Sequence, residues 1–230
     1  MAEGDAEGSG PTTPDRRPDQ GEQRWPMALA VMFLIGLPFL MPAAFEIDPR
    51  WILPIFEGAL LIAIIVADPG RINRRSRWLR HLTIALIMLL VVGVGWVTVR
   101  LIYDLVTGSP AVSTAGPLLR AGAIIWIGNA LAFAILYWEL DSGGPAKRAH
   151  EAPRYPDFAF PEQLSPAIAP PGWRATFVDY LYVGFTNATA FSPTDAMPLA
   201  HWAKITMTIQ SLISLTVLGL VIARAVNIFT

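Results

Sequence analysis

The chain has 230 residues, 53% of them hydrophobic and only 15% charged, with a formal net charge of −1. A mean hydropathy of +0.46 is too high for an ordinary soluble domain, and the charge balance excludes a bulk-basic nucleic-acid binder. Cysteine is absent, which excludes disulfide frameworks, thiolate metal sites, iron–sulfur clusters and cysteine nucleophiles.

Residues 1–25 carry acidic residues, arginines, prolines and glycines but no apolar run. They read as a disordered tail, because such a segment cannot bury enough surface to offset its ordering entropy. The segment also lacks the basic start and apolar stretch of a secretory signal. Five strong apolar blocks follow: Trp25–Phe45, Trp51–Ala67, Leu82–Val106, Leu118–Trp138 and Trp202–Phe229. Each approaches or exceeds the roughly 20 residues that cross a bilayer as a helix. A sixth block, Ala175–Ser192, contains Asp179, Asn187 and Gly184. It is weaker, and reads either as a polar span or as a half-membrane helix followed by a re-entrant loop. The expected fold is an all-α, polytopic membrane helix bundle. Its parts are a tail (1–25), a four-helix membrane region (26–141), a Pro-rich loop (142–173) and a segment with the last helix (174–230).

Orientation follows from the basic residues. Arg71, Arg74, Arg75, Arg77 and Arg80 crowd the loop Asp68–Arg80, whereas Thr107–Pro117 has no Lys or Arg. The positive-inside rule puts the arginine loop and the N-terminus in the cytoplasm of a multi-pass plasma-membrane protein. The same run is suited to anionic lipid head groups, though its place beside a span reads first as a topology anchor. Within the Ser142–Trp173 loop, Asp157–Pro161 (DFAFP) either stays part of a tether or docks through its two phenylalanines.

Charges and polar groups inside the blocks mark candidate sites. Glu57 and Arg100 are placed at similar depth by counting from the block ends, so an intramembrane ion pair joined by Asp104 is expected, either fixing helix register or serving ion movement. Glu139 and Asp141 read as a solvated helix end rather than a cation site. Gly128 and Ala132 suit close helix packing, and Asn129 can bond across helices. Thr206, Gln210 and Ser214, at four-residue spacing, form an inner-helix polar stripe that reads as inter-helix glue or as pore lining. No catalytic constellation, metal-ligand cluster or phosphate loop is present, so neither an enzyme nor a cofactor is expected.

From Phe177 onward, FVDYLYVGFTNATAFSPTDAMPLAHWAKITMTIQSLISLTVLGLVIARAVNI resembles the C-terminal part of a family of uncharacterised bacterial integral membrane proteins, a domain of unknown function. It is also similar, more distantly, to the pore region of two-transmembrane, pore-loop potassium channels. That second resemblance implies Asp179–Asn187 as pore helix, Thr189–Asp195 as filter region and Pro198–Asn227 as inner helix. The pore or filter candidates are then Thr186, Asn187, Thr189, Ser192, Thr194 and Asp195. The channel filter Thr-Val-Gly-Tyr-Gly-Asp is replaced here by Thr-Ala-Phe-Ser-Pro-Thr-Asp, without the glycines, so a potassium filter of that kind is not expected. Ser192-Pro193-Thr194-Asp195 also reads as an ordinary helix start. The functional expectation is a channel-like protein for an ion or small solute, embedded in lipid and working as a homo-oligomer. The alternatives are a non-conducting membrane subunit or scaffold, and a small secondary transporter.

Overall fold

The computed structural model describes residues 21–45, 49–72, 76–150, 155–189 and 196–229. It is all-α apart from one two-residue strand pair. The long helices are α1 (Trp25–Gly36), α2 (Ile52–Ala67), α3 (Arg77–Thr107), α4 (Ala115–Leu140), α7 (Phe177–Thr189) and α8 (His201–Phe229). Two single-turn helices, α5 (Pro145–Arg148) and α6 (Pro161–Leu164), interrupt the Pro-rich loop.

Among the described residues, three helices are long and apolar enough to cross a membrane: α3, α4 with its short extension, and α8. The first two apolar blocks form shorter helices than expected. Pro38 lacks the N–H that an α-helix needs, and the chain tightens there into a 3₁₀ turn over Leu37–Leu40. With that turn the first helix runs Trp25–Leu40, no longer than α2. α3 ends where Gly108 takes a left-handed φ of 68° and its N–H returns to the Asp104 carbonyl.

α4 is the axis of the bundle and packs most extensively against α7 and α8. Gly122 faces Val221, and Gly128 faces Val94 and Leu37. Outward faces are strongly apolar: Trp96 and Val99 on α3, and Ile205, Leu212 and Leu215 on α8, are all more than half exposed. Such continuous apolar surface suits lipid rather than water.

One end of the bundle gathers most of the described basic residues and the contacts of the Pro-rich loop. Gln23 bridges to Arg71, and a buried ion pair of 2.8 Å joins Arg24 to Asp68. The last residues of the expected tail are therefore tied into the fold. Glu22 accepts a hydrogen bond from Trp138 Nε1 at 2.8 Å and another from the Phe177 N–H. DFAFP docks here too, with Phe158 and Phe160 buried. Phe158 packs edge-on against Trp202 and Tyr180, and strand β1 (Phe158–Ala159) pairs antiparallel with β2 (Met197–Pro198).

These contacts place the described part of the sixth block, α7, against α4. α7 begins at the basic end, where Phe177 meets Trp138. Thirteen residues later it finishes beside Trp126, whose Nε1 donates to the Ala188 carbonyl at 3.1 Å. Trp126 lies 12 residues back along α4, about 18 Å from Trp138. The chain is next described at Ala196–Pro198, back at the basic end against Phe158, and α8 starts there. α7 therefore covers only about half of α4, and the next described residues lie at the end where α7 began. α7 and α8 both run antiparallel to α4. The last helix begins at His201, after the Ser192–Asp195 stretch that read as its start.

Candidate functional site

The densest polar chemistry lies on the seam between α4, α7 and α8, and Gln210 is its hub. Fully buried, Gln210 accepts from Tyr137 Oη and from Asn187 Nδ2, each at 2.7 Å. Its own Nε2 donates to the Gly184 carbonyl at 2.8 Å. Asn187 also donates to the Met207 carbonyl at 2.9 Å and accepts from Ser211 Oγ at 3.0 Å. One turn further along α8, Ser214 accepts from Asn129 Nδ2 at 2.8 Å. Buried polar groups are costly unless bonded, and here each bond ties one helix to another.

The remaining polar candidates behave differently. Thr206 Oγ1 donates to the Trp202 and Ala203 carbonyls of its own helix. Thr186 and Thr189 likewise bond back within α7, to the Tyr182 and Thr186 carbonyls. Ser192, Thr194 and Asp195 lie outside the described residues.

The expected Glu57–Arg100 pair does not form. Glu57 on α2 lies level with Gly93 of α3, where a Cβ would sit 3.8 Å from Glu57 Oε1. Arg100 is seven residues further along α3, about 10.5 Å away. Its guanidinium is half exposed and pairs loosely with Asp104, at 3.6 Å within the same helix. Counting depth from the ends of apolar blocks fails because α2 and α3 are offset along their axes, which brings Gly93 rather than Arg100 beside Glu57.

Glu139 and Asp141 also depart from expectation, since both are buried rather than solvated. Gly143 and Gly144, at φ of 84° and 97°, let the chain turn back over the end of α4. Asp141 then accepts from Ser142 Oγ, the Asp157 N–H and Tyr180 Oη. Arg148 donates to the Trp138 and Asp141 carbonyls at 2.8 and 2.7 Å and lies 5.0 Å over the Tyr180 ring. Sequence reasoning missed Glu22, Tyr137, Arg148 and Asp157. The first stands in a segment of disordered composition; Arg148 and Asp157 acquire partners only when the Pro-rich loop folds back, and Tyr137 finds Gln210 across the α4–α8 contact.

Two cavities flank these networks. At the basic end, a chamber of about 560 Å³ is lined by Arg24, Arg77, Arg80 and Lys147, with Trp138 and Glu139 among its other lining residues. Nearer the far end, an apolar cavity of about 300 Å³ lies between the first four helices and contains Glu57. Among the described residues, no group of three or more acidic or histidine side chains is placed to hold a metal ion. No protein-family model, curated protein or solved structure matches this chain.

Proposed function

We propose that the chain is a channel-like integral membrane protein of the pore-loop kind, working as a homo-oligomer in the bacterial inner membrane. The observation that carries this reading is the course of α7. It is a half-length helix that enters beside α4, stops beside Trp126, and is followed by a strand back at its entry end. A half-helix whose carbonyl end points into the bilayer brings partial negative charge to mid-depth, which favours a cation there. Thr186, Asn187 and Thr189 stand at that end, and Ser192, Thr194 and Asp195 follow in sequence as candidates for the path. The bonds of Asn187 and Gln210 then have the role of pinning the half-helix at a fixed depth.

Several copies around one axis complete the pore in this reading. Val178, Tyr182 and Phe185 supply the apolar outer face of α7, each at least half exposed in the single chain. The basic end, with Arg71, Arg77, Arg80 and Lys147, faces the cytoplasm, so the loop enters from that side.

The test is single-channel recording of the purified protein in planar bilayers. Cation-selective conductance that changes on Asp195→Asn supports the proposal. A monodisperse preparation with no conductance favours the second reading, a non-conducting membrane subunit. That reading draws on the same seam, where Asn187, Gln210 and Ser214 are all engaged in holding helices together.

A further inference from the structure

The seam explains the polar groups on one side of α4, but Glu57 lies on the other side and takes no part in it. Its side chain is 3% exposed, and neither of the ion pairs among the described residues includes it. None of the hydrogen bonds described for the fold reaches its carboxylate, although the carboxylate borders a cavity. A carboxylate buried among apolar helices without a partner is costly, and groups of this kind in membrane proteins face a ligand or a path.

The cavity has the form of a ligand site. About 300 Å³ in volume, it is walled by Leu37, Leu53, Val94, Val97 and Ile124. Gly93 and Gly128 also line it, and their missing side chains let the helices close around it; a Cβ on Gly93 would come within 2.8 Å of Leu53 Cδ2. Phe45 and Trp96 add aromatic surface to the lining, which attracts cations through the ring quadrupole. Among the described residues, the only other ionisable one in the lining is Arg50, which has interactions of its own. It precedes α2 and so borders the cavity about 10 Å along the chain axis from Glu57. Apolar walls, aromatic rings and one buried carboxylate together select a molecule with a greasy body and a positive charge.

We propose that this cavity binds a lipophilic organic cation, an amine or quaternary ammonium with an apolar body, and that the Glu57 carboxylate is its counter-charge. The proposal stands apart from the pore reading, because the cavity lies between the first four helices and shares no residue with the α7 seam.

The experiment is equilibrium dialysis of radiolabelled benzyltrimethylammonium against the full chain in phosphatidylcholine nanodiscs, with empty nanodiscs subtracted. Saturable binding of one cation per chain is expected. Glu57→Gln weakens it by roughly ten- to a hundredfold, the range for losing a charged partner, while Glu57→Asp retains most of it. Val97→Trp, which fills the cavity and leaves Glu57 in place, also abolishes it. Neopentylbenzene, the uncharged carbon isostere, does not compete. The proposal is overturned by absence of saturable binding, by unchanged binding in Glu57→Gln, or by equal competition from neopentylbenzene, which would make the cavity a site for any apolar body. Unchanged elution and far-UV circular dichroism identify variants that keep their fold, and Val97→Trp decides the matter if Glu57→Gln does not.

Discussion

Gly184 on α7 and Ala130 on α4 approach so closely that a Cβ at position 184 would sit 2.6 Å from the Ala130 carbonyl oxygen and 2.8 Å from Ala134 Cβ. The obstacle is largely backbone, so no side-chain rotation relieves it. The same glycine offers its carbonyl to Gln210, and α7 is thereby held on both sides. Gly184→Ala is expected to push α7 off α4 at a cost of about 1–3 kcal/mol, the range for overpacking. Gly93→Ala crowds the far end of Leu53, which can turn aside, and is expected to cost much less. Thermal unfolding in detergent, followed by tryptophan fluorescence, ranks the two. Equal loss in both would show that the α4–α7 contact yields as readily as the Leu53 side chain.

Three residues of the α8 stripe should separate in a second series. Gln210→Leu removes the acceptor of Tyr137 and Asn187 and the donor to Gly184. Each orphaned group costs roughly 1–3 kcal/mol in a dry interior, though inter-helix bonds in membranes average nearer 0.6 kcal/mol. A total of about 2–4 kcal/mol is expected. Ser214→Ala loses one bond to Asn129, whose amide still reaches the Gln210 carbonyl at 3.3 Å, and costs about 1 kcal/mol or less. Thr206→Ala breaks only bonds within its own helix and is expected to be near neutral. Any other order in a denaturant-unfolding series counts against the seam as the clamp on α7.

The Arg24–Asp68 pair ties the entry of α1 to the end of α2, with both side chains under 10% exposed. Removing one partner leaves a buried charge, at a cost of about 3–5 kcal/mol, whereas replacing both is far milder. Arg24→Met should therefore destabilise strongly, and the double variant Arg24→Met with Asp68→Leu should recover most of the loss. A double-mutant cycle on unfolding free energies measures this. If the double variant is as unstable as the single one, the loss lies in packing around Arg24 and not in an orphaned Asp68.

Apolar blocks of suitable length mark α3, α4 and α8 in the sequence, because a helix that faces lipid must be apolar over nearly its full length. A lone polar residue within such a helix signals a cross-helix bond, and Asn129, Gln210 and Ser214 make such bonds. Relative register was beyond reach. Whether Glu57 meets Arg100 or Gly93 depends on how α2 and α3 are offset, which apolar periodicity does not encode. The burial of Asp141 depends on a loop folding back through Gly143 and Gly144, and the partners it finds are 16 and 39 residues away. The shortness of the first helix was written in Pro38, but a proline kink and a proline break look alike in one sequence.

Glu22 gives the clearest pH test. Burial raises its pKa above the ordinary carboxylate value, against the opposing pull of the Trp138 and Phe177 bonds to its charged form. In the interval between the unfolded and folded pKa, the native chain holds a proton that the unfolded chain has released. Linkage then requires native stability to fall as pH rises through that interval, starting from the ordinary carboxylate range near 4.5. Above the folded value the effect is complete and the curve flattens with respect to this group. Glu22→Gln cannot ionise, so its stability curve should lack this component. It also keeps one acceptor oxygen for two donors, so one of the bonds from Trp138 and Phe177 should be lost. Unfolding free energies from pH 4 to pH 8, for the wild type and Glu22→Gln in the same detergent, supply the comparison. A wild-type curve that rises over this range relative to the variant would mean that the two bonds outweigh burial and that Glu22 is held ionised at the mouth of α7.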